Sequence, residues 1–269
     1  MKAQANGRKA IFITGAASGI GLATARRFVA GGWFVGLADI DAKGLTAALA
    51  AIGPGNGSIH RFDVRDRGGW RRELAAFAKL TEGRLDVLMN NAGLARAGFL
   101  EQQSAEDVDL QIDVNLKGVI NGCQAGFDLL AGTHGSQVVN LASVAGVIAP
   151  PRLSIYAATK FAVRALSESL DVEFARVGVG VRCIMPWFLD TPLLDGVGLA
   201  GNKTAREALR AGGAPIYRVE LASEAVWNAV HGKPRLHHMV GAKARSAALM
   251  SRLAPALVRK GFRLRAERP

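Results

Sequence analysis

Cysteine is nearly absent. The chain holds only Cys123 and Cys183 in 269 residues, too far apart for a metal-ligand spacing. They read as small buried hydrophobes of a reduced compartment, so a disulfide scaffold and a thiolate metal site are both excluded, and no metal is expected. Long apolar runs are missing too: none approaches the roughly 20 residues that a membrane-spanning helix needs. The polar stretch Met1 to Lys9 leads directly into a strand-like segment, which argues against a signal peptide and makes the cytoplasm the expected location. Aromatics are sparse and glycine is abundant at 32 residues, a balance that suits tight strand-to-helix turns. No repeat or low-complexity linker interrupts the chain, so residues 1–269 are expected to form one domain.

The excess of cations over acids is concentrated in one region. Residues 231–269 hold ten Lys/Arg against one acid, Glu267, so this segment carries most of the net charge of +12. The basic character belongs to the tail and not to the body.

Short apolar, β-branched runs alternate with helical patterns. Ala10–Thr14, Phe34–Ala38, Ser58–Phe62, Leu85–Met89, Gln137–Leu141 and Val181–Met185 read as strands, with Leu236–Val240 as a seventh. Helical periodicity falls near 19–31, 42–51, 66–81, 104–131 and 155–177. Such alternation predicts an α/β fold, a doubly wound parallel sheet of about seven strands with helices on both faces. Its ligands bind beyond the carboxyl ends of the strands.

The loops after the strands carry the candidate chemistry. The first strand runs into Thr14-Gly15-Ala16-Ala17-Ser18-Gly19-Ile20-Gly21 and then a helix. Glycines there permit a tight turn and let a pyrophosphate approach the free N–H groups of the helix. The second strand ends at Asp39, whose carboxylate can accept from adenosine ribose hydroxyls and would repel a 2′-phosphate. Ser18 stands before Gly19 and Ile40 follows Asp39, so no cation is offered to that phosphate, and NAD is the expected cofactor. Asp41 is placed to cap the next helix. Asp63-Val64 closes the third strand, where it could flank adenine, and Asn90-Asn91-Ala92-Gly93 closes the fourth.

Tyr156 and Lys160 lie four apart in a helical segment and so share a face. An ammonium beside the phenol, with the positive nicotinamide ring, should lower its pKa toward working pH, letting Tyr156 exchange a proton with an alcohol or ketone oxygen. Ser143, at the end of the fifth strand, offers a hydroxyl to that oxygen.

Together these motifs resemble the short-chain dehydrogenases/reductases over roughly residues 9 to 192. The match comprises TGAASGIG (14–21), Asp39, Asp63-Val64, NNAG (90–93), Asn115 within DVNLKG, Ser143, and the Tyr156-x-x-x-Lys160 pair. The resemblance implies a Rossmann-type fold and an oxidoreductase acting on CH–OH groups. It implies a catalytic set of Ser143, Tyr156, Lys160 and Asn115, with Lys160 also holding the nicotinamide ribose and the Asn115 carbonyl positioning a relay water. It places Asn91, Ala92 and Gly93 on the cofactor cleft, and Pro186 and Thr191 at the nicotinamide end. It also implies a homodimer or homotetramer built through the long helices near 104–131 and 155–177.

The chain departs from the family where Pro-Gly usually follows the sixth strand; here it reads Pro186-Trp187. Trp cannot reach every backbone conformation open to Gly, so the peptide path is expected to differ. Residues 189–215 correspond to the variable substrate lid, with Leu193, Leu194, Val197 and Leu199. Trp187, Phe188 and Leu193, with Leu153 and Leu94 nearby, suggest an apolar pocket for a lipophilic or cyclic secondary alcohol or ketone. Two rival readings remain, an NADP-dependent 3-oxoacyl-type reductase and a dinucleotide-binding scaffold without turnover. In the tail, residues 243–269, apolar positions mix with cations, and Pro255 is expected to split two short helices. The tail either packs on its own subunit or lies peripherally on the inner face of an anionic membrane. No aromatic-studded basic platform accompanies it, so nucleic acid is not expected.

Overall fold

In the structure, a computed structural model that describes residues 3–196 and 204–266, seven parallel strands form one sheet in the order β3-β2-β1-β4-β5-β6-β7. The strands are β1 (Ala10–Thr14), β2 (Phe34–Asp39), β3 (Gly57–Arg61), β4 (Val87–Asn90), β5 (Gln137–Leu141), β6 (Gly180–Pro186) and β7 (His237–Val240). Order reverses between β1 and β4, which opens a crevice at their carboxyl ends.

Alternation along each strand sorts the core into two layers. Ile11, Ile13, Val35 and Leu37 face α1 (Gly19–Ala30), α2 (Ala42–Ile52) and a helix over Glu220–His231. Phe12, Phe34 and Leu88 face the opposite layer, where Trp70 and Phe77 of α3 (Arg67–Leu80) meet Val119, Val163 and Leu170. Cys123 and Cys183 are buried here, their thiols pushed up to about 12 and about 11 by desolvation.

Two departures from the sequence expectation bear on the site. The segment expected as one helix over 104–131 is three pieces: α4 (Ala105–Ile112), a π-turn over Asp113–Lys117, and α5 (Gly118–Ala131). The tyrosine-bearing helix, α6, runs Ser154–Ala175. After β6 come a single helical turn, α7 (Leu193–Gly196), then α8 (Ala205–Ala211) and α9 (Glu220–His231). Helix α9 lay outside the expected elements although Ala222, Val226 and Ala229 carry its buried stripe. Pro255 does divide the tail, into α10 (Ala242–Leu253) and α11 (Pro255–Ala266). Among the described residues no helix is long and apolar enough to cross a membrane.

Candidate active site

The glycine loop wraps the crevice by backbone geometry. Gly15 turns at φ +65°, and a Cβ on Gly21 would come within 2.1 Å of the Gly15 carbonyl oxygen. Helix α1 therefore packs down on the loop only because Gly21 lacks a side chain. Ser18 caps the helix without a side-chain hydrogen bond, leaving the first N–H groups of α1 open to an anion, with Gly19 and Ile20 in that turn. Asp39 reaches back from β2: its carboxylate accepts from Ala17 N–H (3.1 Å) and from Asp41 N–H (3.1 Å). With about four acceptor sites, it keeps capacity for hydroxyl donors. Asp41 caps α2 through Lys43 and Gly44 N–H, as its position suggested.

The β4 loop is stitched to this edge. Thr14 Oγ1 accepts from Asn91 N–H (3.0 Å) and Ala92 N–H (3.1 Å), and Asn91 Nδ2 donates to the Thr14 and Gly15 carbonyls. The Asn91 amide thus shapes the loop and does not face the cleft as a free donor. Thr14, read in the sequence only as the first residue of the glycine motif, is the acceptor that ties the two loops together. Farther along the edge, Asp63 is held below its usual carboxylate range by Arg65, whose guanidinium donates to it at 2.6–3.1 Å. Val64 is buried, and its carbonyl accepts from Trp70 Nε1 (2.9 Å) and Asn121 Nδ2 (3.1 Å).

The catalytic candidates converge where β5 ends. Ser143 caps a short 3₁₀ turn, accepting from Ala145 N–H (3.1 Å), and its side chain lies beside the Tyr156 hydroxyl. Lys160, one turn along α6, is buried and donates to the Leu141 carbonyl (2.9 Å). The turn after β5 lies so close to α6 that a Cβ on Gly146 would fall 2.7 Å from the Lys160 carbonyl oxygen. Asn115 sits fully buried in the π-turn, donating to the Leu94 carbonyl (2.8 Å) and to Thr159 Oγ1 (3.3 Å), while its Oδ1 accepts from Leu94 N–H (2.8 Å). π-turns inside helices recur at functional sites. Gly93 opens a space bordered by Asn115 Oδ1 and Lys160 Nζ, at 3.1 and 3.5 Å from where its Cβ would lie.

The electrostatics correct one expectation. Tyr156 is pushed up from its ordinary value by burial, with the Ser143 hydrogen bond pulling the other way; Lys160 does not bring it down. Lys160 Nζ lies over the Tyr156 ring, 5.7 Å from its centroid, but an ammonium that gives up its proton at about 8 is already neutral where a raised phenol ionises. Burial also drives the Lys160 ammonium down to about 8. Two desolvated titratable groups held together in a cleft are a mark of a functional site.

The far wall comes from the segment after β6. Pro186 is the last residue of that strand, and Trp187 N–H donates to Val240 O (3.1 Å) with no positive φ. The Gly-to-Trp departure therefore imposes no left-handed backbone. Its indole instead donates to the Pro215 carbonyl (3.1 Å) and meets Phe188 edge-on. Thr191 Cγ2 would lie 3.4 Å from a Cβ on Gly19, so the two sides of the crevice meet there. Phe188 and the Tyr156 ring pack with Ala95, Ala97, Leu194, Ala205, Leu209 and Ile216. Leu193 is 37% exposed, and its neighbour Leu194, 5% exposed, takes the inward place, because adjacent residues of a helical turn point about 100° apart. Leu94 and Leu153 are half-buried outside this cluster, and Val197 and Leu199 lie outside the described residues. Arg206 of α8, unforeseen from sequence, ties the lid to itself through Asp190, both oxygens of Asp195 (2.5 and 2.9 Å) and the Thr191 carbonyl (3.0 Å).

Comparison with known proteins agrees with this geometry. The family model described as short chain dehydrogenase matches residues 9–200. The oxidoreductase UcpA of Salmonella typhimurium is 36% identical over 204 residues, 75% of this chain and 77% of that protein. A 2,5-dichloro-2,5-cyclohexadiene-1,4-diol dehydrogenase of Sphingobium indicum is 34% identical over 192 residues, 70% of this chain and 76% of that one. The crystal structure of a short chain dehydrogenase/reductase from Burkholderia phymatum in complex with NAD superposes with TM-score 0.83 at 25% identity, covering 96% of each chain. A parallel sheet in this order, a glycine loop on α1 and a Ser-Tyr-Lys meeting point, together with these matches, make the chain a member of the short-chain dehydrogenase/reductase family, oxidoreductases acting on alcohols and ketones.

Proposed function

We propose that the protein is an NAD(H)-dependent oxidoreductase of apolar or cyclic secondary alcohols and ketones. The meeting of Ser143, Tyr156 and buried Lys160 at the end of β5 is the observation that carries this reading. A nicotinamide dinucleotide, when bound, supplies the hydride acceptor or donor. The residues present fit it: beside the tight turn of Gly15, Gly19, Ile20 and Gly21 the first N–H groups of α1 are left uncapped by Ser18, and Asp39 offers its carboxylate to ribose hydroxyls. Asp63, Val64, Asn91, Ala92 and Gly93 would flank the adenosine side, with Pro186 and Thr191 at the nicotinamide end.

Ser143 holds the substrate oxygen and Tyr156 removes or returns its proton. Burial favours the phenol form of Tyr156 in the free protein, and positive charge entering the cleft would favour the phenolate. With the dinucleotide bound, Lys160 would hold the nicotinamide ribose hydroxyls, and the Asn115 carbonyl in its π-turn would position a relay water. Phe188, Trp187 and Leu194 give the substrate apolar walls, in keeping with the cyclic diol that the Sphingobium relative's name states. Asp39 disfavours an NADP-dependent 3-oxoacyl reductase. A scaffold without turnover has no use for an ammonium buried at this cost. Phe161 and Val172 share an exposed face of α6, which supports pairing of copies through that helix.

The test is a panel of secondary alcohols assayed with NAD+ and NADP+. Tyr156→Phe should lower turnover by roughly 10²–10⁴-fold while leaving NADH binding nearly intact. Asp39→Ala should shift the preference for NAD over NADP by at least about tenfold. Near-normal turnover of Tyr156→Phe, or a polyol strongly preferred over cyclic alcohols, would sink the proposal.

A further inference from the structure

The 25 residues of α10 and α11, Ala242–Ala266, hold seven Lys/Arg and no acid, and they lie beyond the span that the family model matches. Their amphipathicity is inverted. Helix α10 turns its small residues toward the body: Ala244 is fully buried, and Ala247, Ala248 and Ser251 are half-buried. Its large apolar residues Leu249, Met250 and Leu253 point the other way, Leu253 being 71% exposed. At 100° per residue these three form one stripe, flanked by Lys243 on one side and by Arg245 and Arg252 on the other. Helix α11 repeats the pattern, with Val258 and Phe262 half-buried and Leu257 and Leu264, seven residues apart, exposed on a common face beside Lys260. Among the described residues no salt bridge engages any arm cation. A helix that folds onto its own subunit does so by its apolar stripe; here that stripe is left outside.

We propose that α10 and α11 form an arm that lies in the plane of an anionic phospholipid bilayer, inserting Leu249, Met250, Leu253, Leu257 and Leu264 among the acyl chains. Charge complementarity selects this partner. A second copy stacked on the same face would bring seven cations against seven, whereas an anionic surface meets both the stripe and its basic flanks. A neighbouring cleft of about 340 Å³ between α9 and β7 is bordered by Arg235, His238 and Arg245, with no carboxylate on its wall. Arg245 stands one turn before Leu249, so a lipid phosphate can enter that cleft while the stripe is inserted.

The test is co-sedimentation of the full chain with vesicles of phosphatidylcholine plus phosphatidylglycerol, against pure phosphatidylcholine. Binding is expected to the first only and to weaken with added salt. At about fivefold per surface cation, the triple change Arg252→Gln, Arg259→Gln, Lys260→Gln should cut partitioning roughly a hundredfold. The triple change Leu249→Gln, Leu253→Gln, Leu257→Gln should abolish it even at low salt, with melting temperature, dinucleotide binding and particle mass unchanged. Equal binding to both vesicles, or full binding by the leucine triple, overturns the proposal. So does a wild type that ignores vesicles while the leucine triple drops to a smaller particle, since a second copy would then be the cover.

Discussion

On the cofactor side, between β1 and β4, the cleft is made of backbone: two loops locked by Thr14, Asn91 and the close approach of Gly21 to Gly15. On the substrate side, beyond β6, it is made of side chains: the Phe188–Leu194–Leu209 cluster, the Trp187 indole on Pro215, and Arg206 gripping two aspartates. A backbone-built wall tolerates no added atom, so its shape is fixed. A side-chain wall can be recut residue by residue without disturbing the sheet, which is how one scaffold serves many alcohols.

The contrast can be broken most sharply at Gly21. Gly21→Ala places a methyl carbon against the Gly15 carbonyl and should cost at least about 3 kcal/mol, with loss of dinucleotide binding, as thermal melts and NADH titration would report. Lys160→Met should act in the opposite direction on stability. The wild-type ammonium has a folded pKa of about 8 against 10.5 unfolded, so between those values the unfolded chain binds more protons and wild-type stability rises with pH. The penalty is therefore full below pH 8, roughly 3 kcal/mol, less about 1 kcal/mol for the bond to Leu141. The variant should be about 2 kcal/mol more stable at pH 7 in denaturant titrations, lose that gain by pH 10.5, and be inactive. A wild type more stable than the variant at pH 7 would contradict the buried-charge account.

On the lid, Leu194→Ala should raise KM for apolar substrates roughly tenfold and destabilise the protein by about 2 kcal/mol, whereas Leu193→Ala should stay within about 0.5 kcal/mol. Equal effects of the two would refute the inward placement of Leu194. Arg206→Ala should give the smallest global change, because its carboxylate partners are solvent-exposed. The melting temperature should hardly move, while proteolysis near the lid quickens and KM rises severalfold.

Strand and motif positions were legible because they depend on local chemistry. Asp39, Ser143 and Tyr156 each stand within a residue or two of a strand end or helix start, with Lys160 one turn beyond Tyr156, and alternation marks those boundaries. The break at Asp113–Lys117 was not legible, since a π-turn inserts one residue into a helix without changing its composition. Helix α9 carried a readable stripe in Ala222, Val226 and Ala229, and was missed all the same. Leu193 and Leu194 are interchangeable in any composition-based reading; only the direction of one helical turn separates them.

Spacing and residue type alone determined the α/β order, the glycine cradle on α1 and the helical pairing of Tyr156 with Lys160, because each depends on neighbours a few positions apart. Tertiary structure decided the rest. It buried Tyr156 and Lys160 together, so that desolvation rules the protons of both. It also turned the large apolar residues of α10 away from the body. Both outcomes hinge on which surfaces meet across the fold, and desolvation and burial are properties of those meetings, which no stretch of sequence contains.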